Sequence, residues 1–399
     1  MTEPEKPRRI RSRTKRASTP PGPAKSPEVE APASDVEATA PEIEALVPDI
    51  EAVPDIEAAP DIDAPATVAE AAAGPRARRR IVVTGGAGFV GRYVVRRLHE
   101  RGDQVVAVVR DRSRVPFIND LVGEGLEIVE DDLSDVPRLT EHLRDADGVI
   151  HAAGRYAVGI RHNERGAMWD ANVGATTAVL DAAEVARVPR IVYVSTCGVF
   201  GNTRSQVVDE SYRRDLRDGF VSWYDQTKYG AHEVADLRIR AGAPIVIVLP
   251  SQVYGPGDHS DVGEQLRRAA AGQLRYAALD DVGLGFVHAG DLAMGIVAAL
   301  DLGRVGEAYV LSGPTMRLRE AIQVAAAVGG HPPPRLRVPT GLVRALARIG
   351  GLIGRPGLRE IVSAGAGVTY WASAAKAHRE LGFSPRGLEE GFRDTFPGA

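Results

Sequence analysis

The sequence predicts an α/β protein: a doubly wound parallel sheet, followed by a smaller C-terminal lobe and preceded by a disordered N-terminal tail. Three observations carry that expectation. From Arg80 onward, short apolar runs rich in β-branched residues alternate with helical patterns, which argues for parallel strands covered by helices on both faces. The first run, Ile81-Val82-Val83, leads into glycines at positions 85, 88 and 91 and then into Tyr93, Val94, Val95 and Leu98 at helical spacing. Residues 1–78, by contrast, are rich in proline and acidic residues and have no apolar periodicity.

Within the tail, Arg8, Arg9, Arg11, Arg13, Lys15 and Arg16 form a basic cluster, and no Lys or Arg occurs from Ser26 to Gly74. A six-residue unit recurs there, beginning at Pro48, Pro54 and Pro60. Proline at that interval interrupts any helix, and one isoleucine per unit cannot build a core. The tail reads as a solvated, self-repelling segment, with docking to an unknown basic partner as the alternative. The net charge of −4 offers no argument for a nucleic-acid partner. The single cysteine, Cys197, excludes an intrachain disulfide and fits a reducing, cytoplasmic setting. Without a run of 18 apolar residues or an apolar stretch at the N-terminus, neither a spanning helix nor a secretory signal is expected. No metal site is expected.

Strand, glycine-rich turn and helix in that order are the context of dinucleotide binding. Gly85 permits the tight turn, Gly88 lets the backbone approach a pyrophosphate, and Gly91 lets the helix pack closely on the strand. The first helical N–H groups, at Phe89 and Val90, would face the phosphates. The second strand, Gln104 to Val109, ends at Arg110-Asp111-Arg112. An arginine there accommodates the 2′-phosphate of NADP, and Arg110 favours that cofactor. If Asp111 takes the ribose instead, the cofactor is NAD.

The spacing Gly-x-x-Gly-x-x-Gly resembles the extended branch of the short-chain dehydrogenase/reductase superfamily, the NAD-dependent epimerase/dehydratase family. The resemblance runs from about Arg80 to about Phe396. It implies a Rossmann fold over 79–399, with the cofactor part mainly 79–250 and the substrate lobe mainly 251–399. It also places Asp132 and Leu133, after the third strand, against the adenine. His151-Ala152-Ala153, after the fourth strand, resembles the family's His-x-Ala-Ala, where small residues at Ala152 and Ala153 admit the cofactor. His151 alone reads as structural. Asn172-Val173-Gly174-Ala175-Thr176 departs mildly from the family's Asn-Val-x-Gly-Thr; Asn172 either holds the site's geometry or caps the helix. Phe286-Val287-His288 with Asp291, and Lys376 to Pro385, resemble the family's later segments. An apolar stripe, Leu342, Val343, Leu346, Ile349, Leu352 and Ile353, reads as a helix over the substrate pocket, with a membrane-surface helix as the alternative. A homodimer is compatible with this class.

The chemistry is expected at Tyr224-Asp225-Gln226-Thr227-Lys228. Residues four apart share a helix face, and a lysine there can lower the phenol's pKa by favouring phenolate. The tyrosine then serves as general acid or base at a carbonyl or alcohol oxygen. A hydroxyl from the loop after the fifth strand would bond the same oxygen; counting back from Gly201, as the family motif does, selects Thr196, with Ser195 the alternative.

Four departures bear on the reaction. The sugar-nucleotide dehydratases of the family carry Asp-Glu after the catalytic threonine, where this chain has Cys197 and Gly198. Leu249 and Gln252 replace the Arg and Asn of the family's nucleotide-sugar loop, and Leu284 stands where those enzymes have an arginine against the diphosphate. The strand ending Val109-Arg110-Asp111 resembles dihydroflavonol-4-reductase-like and 3β-hydroxysteroid-type members. The expectation is an NAD(P)-dependent oxidoreductase acting on a ketone or secondary alcohol of a small organic molecule. A nucleotide-sugar epimerase is the alternative, and a non-catalytic cofactor-binding regulator a third reading.

Overall fold

The computed structural model describes residues 78–398, apart from positions 116, 122, 124, 344 and 346–356. The N-terminal tail and most of the apolar stripe from Leu346 to Ile353 therefore lie outside the described residues.

Seven strands form the central sheet: β1 (Arg80–Thr84), β2 (Gln104–Val109), β3 (Leu126–Glu130), β4 (Gly148–His151), β5 (Ile191–Val194), β6 (Ile245–Pro250) and β10 (Ala308–Leu311). Their order is β10-β6-β5-β4-β1-β2-β3, and every pairing is parallel. Side chains alternate across the pleat. Ile81 and Val83 face one core with α1 (Phe89–Glu100), α7 (Ala289–Leu302) and α10 (Ala375–Leu381). Val82, Val106 and Val149 face the other, with α2 (Val136–Leu143), α4 (Ala175–Val185) and α5 (Trp223–Arg240). Because both faces are covered, the inner strands are apolar almost throughout, whereas the edge strand β3 alternates, with Glu127 and Glu130 exposed. Each such side chain contributes roughly 1.5–3 kcal/mol on burial, so a charge at Val82 or Val149 would break the layer.

The strand order reverses between β1 and β4, and a crevice for ligands opens at the carboxyl ends of strands at such a point. Helix α3 (Arg165–Trp169) runs into α4 through a π-turn, Asp170–Gly174. Beyond residue 250 the chain adds a second, three-stranded sheet of β7 (Gln252–Tyr254), β9 (Gly283–His288) and β11 (Thr315–Arg317), and a pair, β8 (Tyr276–Ala277) with β12 (Leu336–Arg337). Helices α6 (Asp261–Ala270), α8 (Leu318–Val328) and α11 (Leu388–Thr395) pack on it around Tyr254, Phe286, Leu318 and Phe392. Helix α9 (Gly357–Gly365) also belongs to this half. The chain does not stay there: α7 and β10 return to the central sheet.

The Phe-Val-His segment earns its pattern structurally. Phe286, Val287 and His288 are buried, and His288 accepts from Gly290 N to cap α7. Arg386, just past the C-terminal segment, then donates from Nε and Nη2, one edge of its guanidinium, to buried Asp291. No helix among the described residues is long and apolar enough to cross a membrane.

Candidate active site

The glycines sit at the switch point. Gly85 has φ +72°, and a Cβ there would lie 2.7 Å from the backbone of Ala153. A Cβ at Gly91 would lie 2.1 Å from the carbonyl oxygen of Gly85, so the helix meets the turn backbone to backbone. Gly88 is the N-cap of α1 and offers no side-chain cap, and the first turn holds no acid. The arrangement leaves the helix N-terminus open toward an anion, with Phe89 and Val90 half-buried behind it. Ala152 N donates to Thr84 O, which fixes the small residues Ala152 and Ala153 opposite the turn. The residues present fit a dinucleotide.

At the end of β2, Arg110 is exposed and has no hydrogen-bond or ion-pair partner among the described residues. The Asp111 carboxylate accepts from Ser113 N and Oγ, at 2.9 and 2.6 Å. After β3, Asp132 is exposed, and two bonds from Ser134 hold its carboxyl below the usual range. Leu133 is different: its side chain is in the core, at φ +66°, and its N–H is taken by buried Asp131. Such a backbone conformation costs a non-glycine residue about 1–3 kcal/mol and persists because the surroundings impose it.

Tyr224 and Lys228 do share a face of α5, whose N-cap Ser222 accepts from Asp225 N. Lys228 Nζ donates to the carbonyl oxygen of Val194 at 3.2 Å, tying the helix to the end of β5, two residues before Thr196. Burial lowers the Lys228 ammonium to about 8. The described residues hold only one other lysine, Lys376, among many arginines. A guanidinium could not be shifted in this way. Tyr224 is half-buried, with the Tyr156 ring edge-on at 4.8 Å. Burial pushes its phenol well above 10, and Tyr156, Tyr193 and Asp225 add to that rise. The sequence led us to expect the opposite direction. The reason is that a phenol removed from water resists ionisation more than the neighbouring cation, itself disfavoured by burial, promotes it.

The two hydroxyls after β5 are not equivalent. Thr196 is half-buried and accepts from Gly198 N, so its own proton is left to donate. Ser195 is buried and engaged with His232 Nδ1 at 3.1 Å. His151 is enclosed between Thr84 and Thr176 and stacked on Tyr193, and burial lowers it to about 3; it is a core histidine. Asn172 does more than cap. From the π-turn it binds both backbone groups of Arg155 and donates to Thr227 Oγ1 at 2.8 Å, between Tyr224 and Lys228.

Sequence reasoning missed three contributors. Glu360, on α9, accepts from Gly159 N at 2.6 Å and from Trp223 N, the residue before Tyr224. It thereby joins the loop after β4, the start of α5 and the C-terminal half, and its charge suits a helix N-terminus. Arg214 clasps Asp225 at 2.9 and 3.2 Å and steadies the first turn of α5. Tyr156 adds an aromatic wall. Nothing but the aromatic type of Tyr156 and the position of Asp225 inside the motif signalled them.

The model of the NAD dependent epimerase/dehydratase family matches residues 81–312. The chain belongs to this family. It is 31% identical over 325 residues to a candidate dihydroflavonol 4-reductase of Synechocystis sp., covering 78% of this chain and 92% of that one. It is 29% identical over 343 residues to the 2-alkyl-3-oxoalkanoate reductase of Stenotrophomonas maltophilia, covering 79% and 97%. Among solved structures it resembles the dTDP-glucose 4,6-dehydratase DesIV of Streptomyces venezuelae with NAD bound, at TM-score 0.63 and 26% identity, over 79% of this chain and 96% of that one. This family member thus has relatives named for both ketone reduction and sugar-nucleotide chemistry.

Proposed function

We propose that this family member is an NADP-preferring reductase of a ketone on a small, uncharged organic molecule. The observation that carries the reading is the bond from Lys228 Nζ to Val194 O, which brings the Tyr224–Lys228 face of α5 against the strand end bearing Thr196. The bound nicotinamide dinucleotide supplies the hydride. Gly85, Gly88, Phe89, Val90 and Gly91 would hold its pyrophosphate, Arg110 its 2′-phosphate, Asp132 and Leu133 its adenine, Ala152 and Ala153 its nicotinamide end. Lys228 would hold its ribose. Tyr224 gives the carbonyl oxygen its phenol proton, which suits a phenol that burial keeps protonated. Thr196 donates a hydrogen bond to the same oxygen, and the Lys228 ammonium stabilises the phenolate left behind.

The surroundings support reduction over sugar-nucleotide chemistry. Leu284 is buried in the core of the second sheet and offers a diphosphate nothing. Cys197 donates to Leu249 O, and burial pushes its thiol upward, so it cannot replace the dehydratase acid. Burial raises the Tyr156 phenol, and the acids Asp261 and Asp258 add to that rise; the same charges would disfavour an anionic substrate beside Tyr156.

The test is a screen of aromatic and aliphatic ketones, and of nucleotide sugars, followed through consumption of NADPH and through product analysis. Epimerisation of a nucleotide sugar with no ketone reduced would overturn the reading. Cofactor choice has its own test. Arg110→Ala should weaken NADPH but not NADH, by the roughly 1.5–3 kcal/mol of a charge-assisted bond, in calorimetric titrations. Equal losses would hand the ribose to Asp111.

A further inference from the structure

Tyr224, Lys228 and His232 lie at intervals of four along α5, so they share one face, each a turn from the next. The third has no part in the site described above. His232 Nδ1 is 3.1 Å from Ser195 Oγ, and Ser195 follows Val194, whose carbonyl oxygen holds Lys228 Nζ. On its other side His232 lines a groove of about 760 Å³ together with Glu210, Arg213, Glu233, Asp236 and Lys376. Neither Thr196, Tyr224, Lys228 nor any of the turn glycines lines that groove. His151, the other histidine near Lys228, is fully enclosed and lacks such an opening.

A reductase consumes one proton per turnover, and a bound dinucleotide and ketone would together cover the front of Tyr224 and Lys228. We propose that His232 and Ser195 form a proton relay from the groove to Lys228, recharging the Tyr224–Lys228 pair from behind. This rests on the reductase reading. The hops balance. Tyr224 loses its proton to the carbonyl oxygen and becomes phenolate. Lys228 returns one and becomes a neutral amine. Ser195 passes its hydroxyl proton to that amine, directly or across one water, and recovers one from His232 Nδ1. His232 takes a proton from groove water at Nε2; when the ring then turns over, groove water removes that proton and protonates Nδ1, and the turn back restores the starting tautomer. Burial lowers His232 to about 4; Asp236 opposes that shift, and Lys228 and Arg213 add to it. The ring therefore works as a neutral tautomer switch, with no resting charge.

The chain has five lysines, Lys6, Lys15, Lys25, Lys228 and Lys376, so a nitrogen-15 label at lysine Nζ gives few signals. The measurement is exchange of the Lys228 Nζ protons with water by NMR, with the oxidised dinucleotide bound. His232→Gln keeps a hydrogen-bonding side chain beside Ser195 but cannot shuttle; Ser195→Ala cuts the relay at its other end. Each should slow exchange by at least about tenfold, with melting temperature and dinucleotide affinity unchanged. Imidazole added to His232→Ala should restore the rate. Wild-type exchange in both His232→Gln and Ser195→Ala overturns the relay. Exchange is read without turnover, so failure to find a reducible ketone sinks the reductase reading alone.

Discussion

Tyr224→Phe should lower single-turnover hydride transfer by about 10²–10⁴-fold, the usual contribution of a positioned general acid. Dinucleotide affinity should barely change, because the lost hydroxyl serves the substrate's oxygen. Two neighbours make the variant clean. The edge-on ring contact with Tyr156 needs only the ring, which phenylalanine keeps. The helix start is held by Ser222, by Asp225 with Arg214, and by Glu360, none of which depends on the phenol. The loss should therefore fall on the chemical step and leave the melting temperature in place. In wild type the rate of the reductive step should fall first near pH 8, as the buried Lys228 ammonium that stabilises the phenolate discharges, and again above pH 10, as alkali ionises the Tyr224 phenol that burial raises. A Tyr224→Phe enzyme with wild-type rates would end the catalytic assignment of this tyrosine.

Gly91→Ala should abolish dinucleotide binding measured by calorimetry and lower the melting temperature. The added methyl would stand 2.1 Å from Gly85 O and 2.8 Å from Gly85 C. Both atoms are backbone, so no rotamer change relieves the contact; either α1 moves off the sheet or the turn opens. Overpacking of that kind costs typically about 1–3 kcal/mol, and more where backbone must shift. The control is Gly166→Ala. That glycine is exposed in α3 with no atom within 4 Å of an added Cβ, and alanine is the better helix former. If Gly91→Ala bound the dinucleotide as tightly as Gly166→Ala, the turn would not be the phosphate cradle.

What could be read from the sequence was what is written locally. A β-branched run followed by glycines three apart specifies strand, turn and helix within a dozen positions, and the four-residue interval from Tyr224 to Lys228 needs only a helix to become a shared face. What could not be read depends on distance along the chain. Glu360 reaches the amide of Trp223 from 137 residues away. The π-turn has an ordinary helical sequence; Asn172 at its centre is tied to Arg155 and Thr227, and neither tie has a local pattern. The direction of the Tyr224 shift is a property of how much water is excluded, which spacing alone does not encode. Ser195 and Thr196 are adjacent hydroxyls in sequence and are told apart by burial and by their partners, His232 for the one and Gly198 N for the other.

The return of the chain to β10 governs how the protein is made. Strand β6 is buried along its whole length, yet its outer neighbour, Ala308–Leu311, is synthesised only after β7, β8 and β9. When residue 250 leaves the ribosome, the sheet still ends in a row of unpaired backbone groups on an apolar strand. At about 5–20 residues per second, that edge waits several seconds for its partner. During that interval the nascent chain presents the kind of open β-edge on which aggregation nucleates and to which chaperones bind.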